Sequence, residues 1–349
     1  MALRRRREGL RRGLSAFSLA RPRQIAIMPG MSDEQHAQPA TGPLDALRAG
    51  GKRALAAALA RLEQAADDPE TAALIDAAYL APRALVIGFT GPPGVGKSSL
   101  IDVLMRKWRA AGVSVGVIAV DPSSRRTGGA LLGDRIRMRT DPEDEGAFVR
   151  SLAARGSLGG LAELAFPAIV LMRAIFDRVI VETVGVGQSE ADISTVADIV
   201  VLCLQPGSGD SLQFMKAGIM EIPDIAVVTK ADMGAPARRA LADLKGAMGL
   251  GSGGEVDCLL LSAASGEGVD ELIGALAGRG EAMEGAPLAA RRQAQAEGWL
   301  RAALLQRFGR DGLEAAKPAL TLVPGVPPFG HCRAIAGRLR VTFDGQERP

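Results

Sequence analysis

With 349 residues, 47% of them hydrophobic and 23% charged, the chain can bury a large α/β core and still carry helical additions. Aromatics make up only 3%, which argues against a base-stacking nucleic-acid platform and leaves the core to aliphatic side chains. The net charge of +3 comes from the first thirty residues, where eight arginines face one acid (Glu8), so the rest carries −4 and offers no basic face for nucleic acid.

Two histidines, His36 and His331, and three scattered cysteines, Cys203, Cys258 and Cys332, provide almost no material for a soft-metal site. Cys203 and Cys258 lie in apolar runs and read as core thiols of a reducing compartment. No apolar run approaches a membrane span, so no membrane partner is expected.

Residues 1–30 are Arg-rich and acid-poor. They fit an organellar presequence or an over-extended start ahead of Met31-Ser-Asp-Glu-Gln. The second reading is preferred and places the protein in the cytoplasm; the first would place it in a mitochondrial matrix. Residues 31–83 form a helical extension. Within it, 44–80 reads as two helices split near Asp67-Asp68-Pro69, with Leu47, Leu55, Leu59 and Leu62 on one face and Asp68 as N-cap before a proline at the first helical position.

From Leu85 the pattern becomes short apolar strands alternating with helices: Leu85–Phe89, Ser114–Val120, Ala147–Val149, Arg178–Glu182, Ile199–Leu204, Ile225–Thr229 and Val256–Leu261. This alternation predicts an α/β fold, a mostly parallel central sheet flanked by helices, over residues 84–283, with ligands at the C-terminal strand ends. A second helical cluster spans about 268–309, broken at Phe308-Gly309. Residues 318–349 read as less regular, with prolines at 318, 324, 327 and 328.

Residues 91–98, Gly91, Pro92, Pro93, Gly94, Val95, Gly96, Lys97 and Ser98, spell a complete G-x-x-x-x-G-K-[ST] phosphate loop. A strand precedes it and a helix beginning around Ser99 follows. Backbone N–H groups and a helix N-terminus therefore converge on one point that suits a polyphosphate. In this pattern Lys97 reaches the β- and γ-phosphates and the Ser98 hydroxyl ligates Mg²⁺.

Magnesium also needs an acid at a neighbouring strand end. Glu182 ends one strand and leads through Thr183-Val184 to Gly185, a [DE]-x-x-G switch whose glycine N–H can sense a γ-phosphate. Asp121 ends another and leads into a loop dense in donors and glycines, and Asp134 is a third acid on the following segment. Val186 follows Gly185, so no glutamine directly after the switch orients the attacking water; Gln188 comes two positions later. The expectation is a slow intrinsic hydrolase completed by another protein.

Thr229-Lys230-Ala231-Asp232 is a [NT]-K-x-D sequence closing the sixth strand. A carboxylate at Asp232 can accept from guanine N1–H and the 2-amino group, whereas adenine leaves it desolvated and unpaired. The Lys230 stem would lie over the base, and Ser262-Ala263 resembles the loop whose backbone N–H meets guanine O6. Guanine is the expected base, bound as GTP or GDP.

Together these residues resemble the MeaB/ArgK family, the methylmalonyl-CoA mutase-associated GTPases related to the methylmalonic aciduria type A protein. The resemblance runs over about 44–280. It rests on the phosphate loop, on Asp121-Pro-Ser-Ser-Arg-Arg-Thr-Gly-Gly through Asp134-Arg135-Ile-Arg137-Met138, on Phe148-Val-Arg150-Ser, on Arg155-Gly-Ser-Leu-Gly-Gly160 and on Val181-Glu-Thr-Val-Gly-Val-Gly-Gln-Ser-Glu190. It implies a homodimeric GTPase of the SIMIBI group with a C-terminal dimerisation arm (284–349), serving as chaperone to an adenosylcobalamin-dependent acyl-CoA mutase by gating cofactor delivery and protecting the enzyme. It also implies that Asp121 and Glu182 belong to the magnesium site, that Asp134 lies in the switch loops, and that Gln205–Lys216 is a mobile segment coupled to the mutase. Thr229 departs from the family's usual asparagine, which implies a weaker hold on the nucleotide, although a hydroxyl keeps one donor. Residues 318–349 match least. Two other classes rank below: the family's older label as a kinase of lysine/arginine/ornithine transport proteins, and a metallochaperone GTPase of the nickel-insertion kind.

Overall fold

The computed structural model describes residues 42–64, 68–122, 141, 143–154, 162–183, 193–207, 223–249 and 256–346. Its centre is a seven-stranded sheet in the order β3-β2-β4-β1-β5-β6-β7, with every pairing parallel. The strands are β1 (Leu85–Thr90), β2 (Val115–Pro122), β3 (Ala147–Ala154), β4 (Arg178–Thr183), β5 (Ile199–Leu204), β6 (Ile225–Val228) and β7 (Asp257–Leu260). The chain starts in the middle, moves out to β3, returns to set β4 between β2 and β1, then runs the other way. That reversal beside β1 opens a crevice at the C-terminal strand ends. Phe89 lies opposite Glu182, Thr90 opposite Leu202, and Leu204 opposite Val228, so those ends line one edge.

Strands covered on both faces read as continuous apolar runs, and every residue of β1 and β5 is buried. One face, with Ile87, Phe89, Val117, Ile180, Val201 and Val227, packs on α4 (Lys97–Ala110) and α7 (Val269–Met283). The other face, with Val86, Ile118, Val181 and Val200, packs on α5 (Ala162–Arg173) and shares one core with the N-terminal helices and the C-terminal arm. The arm consists of α8 (Ala286–Ala316) and α9 (Pro328–Gln346). Phe166 of α5, Trp299 of α8 and Phe329 of α9 join these layers, with ring centroids 4.5 to 6.0 Å apart. Far along the sheet, α6 (Ala235–Met248) covers Leu202, Leu204, Ala226 and Val228.

The N-terminal region holds three helices where two were expected: α1 (Pro43–Ala49), α2 (Gly51–Gln64) and α3 (Pro69–Leu80). The extra break falls at Gly50-Gly51, where Gly51 takes φ +57, a conformation that glycine adopts without steric cost. Asp68 caps α3 as expected, accepting from Thr71 N at 2.9 Å, with Pro69 opening the helix. Strand β3 runs to Ala154, five residues beyond its expected end. It is an edge strand, so a polar residue does not end it, and Arg150 reaches Glu63 of α2 at 2.6 Å. The helical cluster breaks first at Glu284-Gly285, and α8 runs past its kink at Gly309 to Ala316. The stretch expected to be irregular contains the 19-residue α9, because Pro328 stands at its N-terminus, where a missing N–H costs nothing. Asp76 of α3 then accepts from Phe329 N and Gly330 N at 3.1 and 2.8 Å, capping α9. Cys258, expected in the core, is half-buried because β7 is the other edge strand.

The opposite, N-terminal edge is closed by a repeated device. Asp177, Asp198 and Asp224 stand immediately before β4, β5 and β6. Their carboxylates accept from Ser114 N, Val86 N and Val200 N at 2.8 to 2.9 Å, the donors that a parallel edge leaves over. Each also meets an arginine: Arg83, Arg292 and Arg291 respectively. Arg291 and Arg292 belong to α8, so the arm is fastened to the starts of β5 and β6. The Arg292–Asp198 pair is the most buried of the three, at 12% and 0% side-chain exposure and 2.6 Å. Removing one partner from such a pair leaves a buried charge uncompensated. Arg292→Ala is therefore expected to destabilise the protein by about 3–5 kcal/mol, read as a lower urea midpoint; an unchanged midpoint would show that the pair does not hold the arm.

Candidate nucleotide site

The phosphate loop leaves β1 and enters α4 through three positive-φ glycines: Gly91 (+136), Gly94 (+76) and Gly96 (+99). Gly91 has a second constraint. A Cβ there would stand 2.1 Å from the carbonyl oxygen of Cys203 on β5, so only a bare backbone passes. Val95 is buried and anchors the loop, while Pro93 and Gly94 form its exposed crest. Lys97 opens α4 and is only 7% exposed. Its Nζ donates to the carbonyls of Gly91 and Pro92 at 2.7 and 3.0 Å, which folds the amino group back over the loop. An ammonium buried at a helix N-terminus favours an anion beside it, and a polyphosphate supplies one.

Next to it, Ser98 Oγ donates to Glu182 Oε1 at 2.7 Å, and Glu182 is 5% exposed. A hydroxyl and a carboxylate in contact form a hard-oxygen donor pair of the kind Mg²⁺ takes, and the set contains no soft ligand. Asp121 lies at the end of β2, in backbone register with Ala153, one step past the pairing of Val120 with Thr183. The Asp121 side chain, Asp134 and Gly185 lie outside the described residues. Ser99 is exposed on the first turn of α4.

The base-reading residues sit on the other side of the loop. After β6 the backbone turns sharply: Lys230 takes φ 57, ψ 44, the only positive φ among the described non-glycine residues. That conformation costs an L-residue about 1–2 kcal/mol. A 3-10 turn, Ala231–Met233, follows and presents Asp232 at the surface. Ser262 Oγ donates to Asp232 Oδ1 at 2.6 Å and fixes the carboxylate; Oδ2 makes no hydrogen bond among the described residues. The Ser262–Ala263 loop is itself held by Ser262 N to the Glu267 carbonyl and by Ala231 N to the Leu261 carbonyl.

Thr229 Oγ1 lies 2.7 Å from the Val95 carbonyl and 2.9 Å from the Leu204 carbonyl. The hydroxyl thus ties the base-reading strand to the phosphate loop despite the absence of an asparagine. Lys230 Nζ lies 3.3 Å from the Gly94 carbonyl and 2.5 Å from Gln205 Oε1. Beneath the loop, burial pushes the Cys203 thiol up to about 12, against a smaller opposing pull from Lys97, and keeps it protonated.

The structure therefore gathers Gly91–Ser99, Glu182, Thr229, Lys230, Asp232, Ser262 and Ala263 along one sheet edge. Two participants are new relative to the sequence reading: Gln205, and the side chain rather than the backbone of Ser262. No sequence signal singles out Gln205: its contact depends on the register that sets Leu204 opposite Val228 and on the left-handed turn at Lys230.

An all-parallel sheet whose first strand feeds this loop defines a P-loop NTPase fold. A sequence model of the family described as methylmalonyl-CoA mutase-associated GTPase MeaB matches residues 54–314, most of the chain, and the chain belongs to that family. A GTPase-named protein of Caulobacter vibrioides is 38% identical over 288 residues, 80% of this chain and 88% of that one. A similarly named Pyrococcus horikoshii protein is 50% identical over 197 residues, 56% of this chain. The chain spans 62% of that protein's length and 58% of its Pyrococcus abyssi counterpart's. The mouse mitochondrial methylmalonic aciduria type A homolog is 39% identical over 227 residues, 63% of this chain and 55% of that one. Among solved structures, that of an LAO/AO transport system kinase covers 90% of this chain and 100% of its own at 27% identity and a TM-score of 0.60.

Gly91→Ala tests the close approach. The added methyl meets Cys203's carbonyl in a backbone conformation alanine avoids, so a stability loss of about 1–3 kcal/mol or more is expected together with loss of nucleotide binding. Thermal melts and a fluorescent-nucleotide titration check it; unchanged binding would show that the loop has room to spare.

Proposed function

We propose that this chain binds and hydrolyses GTP and acts as a chaperone of an adenosylcobalamin-dependent acyl-CoA mutase, gating cofactor loading and protecting the enzyme. The observation that carries the nucleotide half is a convergence: the loop holds the buried Lys97 and the Ser98–Glu182 pair, and Thr229 and Lys230, next to the Asp232–Ser262 pair, bond to its Val95 and Gly94 carbonyls. The polyphosphate lies along the loop amides and against Lys97. Glu182 orients the Ser98 hydroxyl. Asp232, one oxygen held by Ser262, turns the other to the paired donors of guanine, and the Lys230 stem covers the ring.

Ser98 and Glu182, with Asp121, would hold Mg²⁺. When bound, the ion neutralises charge on the β- and γ-phosphates. Lys97 performs the same service from the helix side. It holds its charge against the bridging region while the surrounding backbone excludes water. The water-orienting group is the part the chain lacks directly after Gly185, so turnover by the chain alone is slow and a partner completes the site. The family description, which names methylmalonyl-CoA mutase, supports a mutase as that partner. In this reading the chain works as a homodimer, with the arm 284–349 as its dimerisation element.

Two experiments test this reading. Asp232→Asn exchanges an acceptor for a donor and is expected to move preference from GTP to XTP by about 10²-fold or more; retained GTP selectivity would remove Asp232 from base reading. GTP turnover by the full chain is expected to rise at least about tenfold on adding purified methylmalonyl-CoA mutase, within the range that completing a hydrolytic site provides. Equal rates with and without the mutase would refute the chaperone half and leave the GTPase half standing.

A further inference from the structure

Two consecutive residues brace the phosphate loop from its base-reading side, and both span the same gap. Thr229 Oγ1 lies within hydrogen-bond distance of the Val95 and Leu204 carbonyls, which share its one proton, while Lys230 Nζ donates to both the Gly94 carbonyl and Gln205 Oε1. Adjacent residues of the loop are thus tied to adjacent residues at the end of β5 through adjacent residues of the base motif. The inner tie ends on backbone at both sides. The outer tie depends on one side chain, Gln205.

We propose that Gln205 is a positioning residue for guanine recognition. Its amide oxygen anchors the far end of Lys230 so that the lysine stem is already laid where the purine ring enters. The proposal rests on the guanine reading above. An ammonium at the end of four methylenes has many rotamers in water, and holding it in one costs entropy that must be met before the base arrives or by the base itself. A neutral carbonyl acceptor is suited to the task. It takes one of the three N–H bonds and leaves the positive charge intact over a π-face. Geometry limits the choice to this position. In parallel register Gln205 stands opposite Thr229, one step short of Lys230, and the left-handed turn at Lys230 brings the amino group back toward β5. At 2.5 Å this is the shorter of the ammonium's two hydrogen bonds among the described residues; that to Gly94 is 3.3 Å. Gln205 is half-buried and therefore partly screened from competing water.

The test uses the full chain, fluorescent GDP and GTP, and inorganic tripolyphosphate as a competitor that lacks a base. Gln205→Ala is expected to raise Kd for both nucleotides about tenfold, chiefly through faster release, while tripolyphosphate competition stays within about twofold of wild type. Gln205→Glu keeps an acceptor in place but sets an anion against the ammonium, so its Kd is expected to fall between wild type and Gln205→Ala. Gln205→Met keeps the length and removes the acceptor, so it carries the test if Gln205→Ala does not fold. In a Lys230→Met background, Gln205→Ala should add less than about twofold, since the group it acts through is gone.

Wild-type release rates in both Gln205→Ala and Gln205→Met overturn the proposal. So does an equal loss of tripolyphosphate affinity, which would make Gln205 part of the loop's scaffold. So does an undiminished effect in the Lys230→Met background. A wild-type chain that binds tripolyphosphate but neither GDP nor GTP is a different result: it overturns the guanine reading itself, and the role of Gln205 falls with it.

Discussion

The nucleotide edge depends on how closely the backbone of Gly91 passes the carbonyl of Cys203. A side chain at 91 would stand 2.1 Å from that oxygen, so the loop sits down onto β5 only because nothing projects from it there. That seat brings Val95 within 2.7 Å of the Thr229 hydroxyl and Gly94 within reach of Lys230. It also turns Lys97 back over the loop, where the Gly91 and Pro92 carbonyls hold its amino group. Phosphate grip and base reading therefore share a foundation: one close contact between the turn after β1 and the end of β5. Loosening it would disturb both together.

The two edges of the sheet treat charge in opposite ways, and the contrast follows from parallel geometry. At the N-terminal edge Ser114, Val86 and Val200 offer N–H donors that the aspartates before β4, β5 and β6 accept, each balanced by an arginine. Donor, acceptor and counter-ion are all internal, so that edge is satisfied without a ligand. At the C-terminal edge the buried lysine has backbone carbonyls around it but a helix N-terminus in front, and the buried glutamate faces a hydroxyl. In the proposed function an anion comes to the first of these groups and a cation to the second. Perturbed or costly charges concentrate where a ligand repays them.

Much of this could be read from the residues before any coordinates. The phosphate loop was legible because its glycines, lysine and serine are consecutive and flanked by elements of opposite period. The strands were legible because burial on both faces leaves them uniformly apolar, as in β1 and β5. What escaped had physical reasons. Helix α9 hid behind Pro318, Pro324, Pro327 and Pro328, although a proline that begins a helix is compatible with it. The tail of β3 hid because Arg150 pairs across to Glu63, a contact a one-dimensional pattern cannot show. The break between α1 and α2 lies in a pair of glycines that helical periodicity overruns. The resemblance gave Gln205 only as the first residue of a mobile segment, and its contact depends on a lysine twenty-five positions later in a backbone conformation that sequence pattern does not report.

The arm and the site are joined through the same strands. Arg292 grips Asp198, whose other contact is the amide of Val86 near the start of β1. Five residues on, that strand becomes the phosphate loop. Gln295, one turn along α8, donates to the Ala197 carbonyl at 2.8 Å and reaches the Ser194 carbonyl at 3.5 Å, in and after the 3-10 turn Ile193–Thr195 that leads into β5. Strand β5 ends at Leu204 beside the brace. A partner that pulled on the arm would thus pull on the starts of the two strands whose ends hold the nucleotide. Contiguity of this kind is a path and not yet a coupling, because packed strands transmit a bias only if some element along them has two arrangements. The turn gripped by Gln295 is joined to Glu182 through residues 184–192, the sequence that carries Gly185.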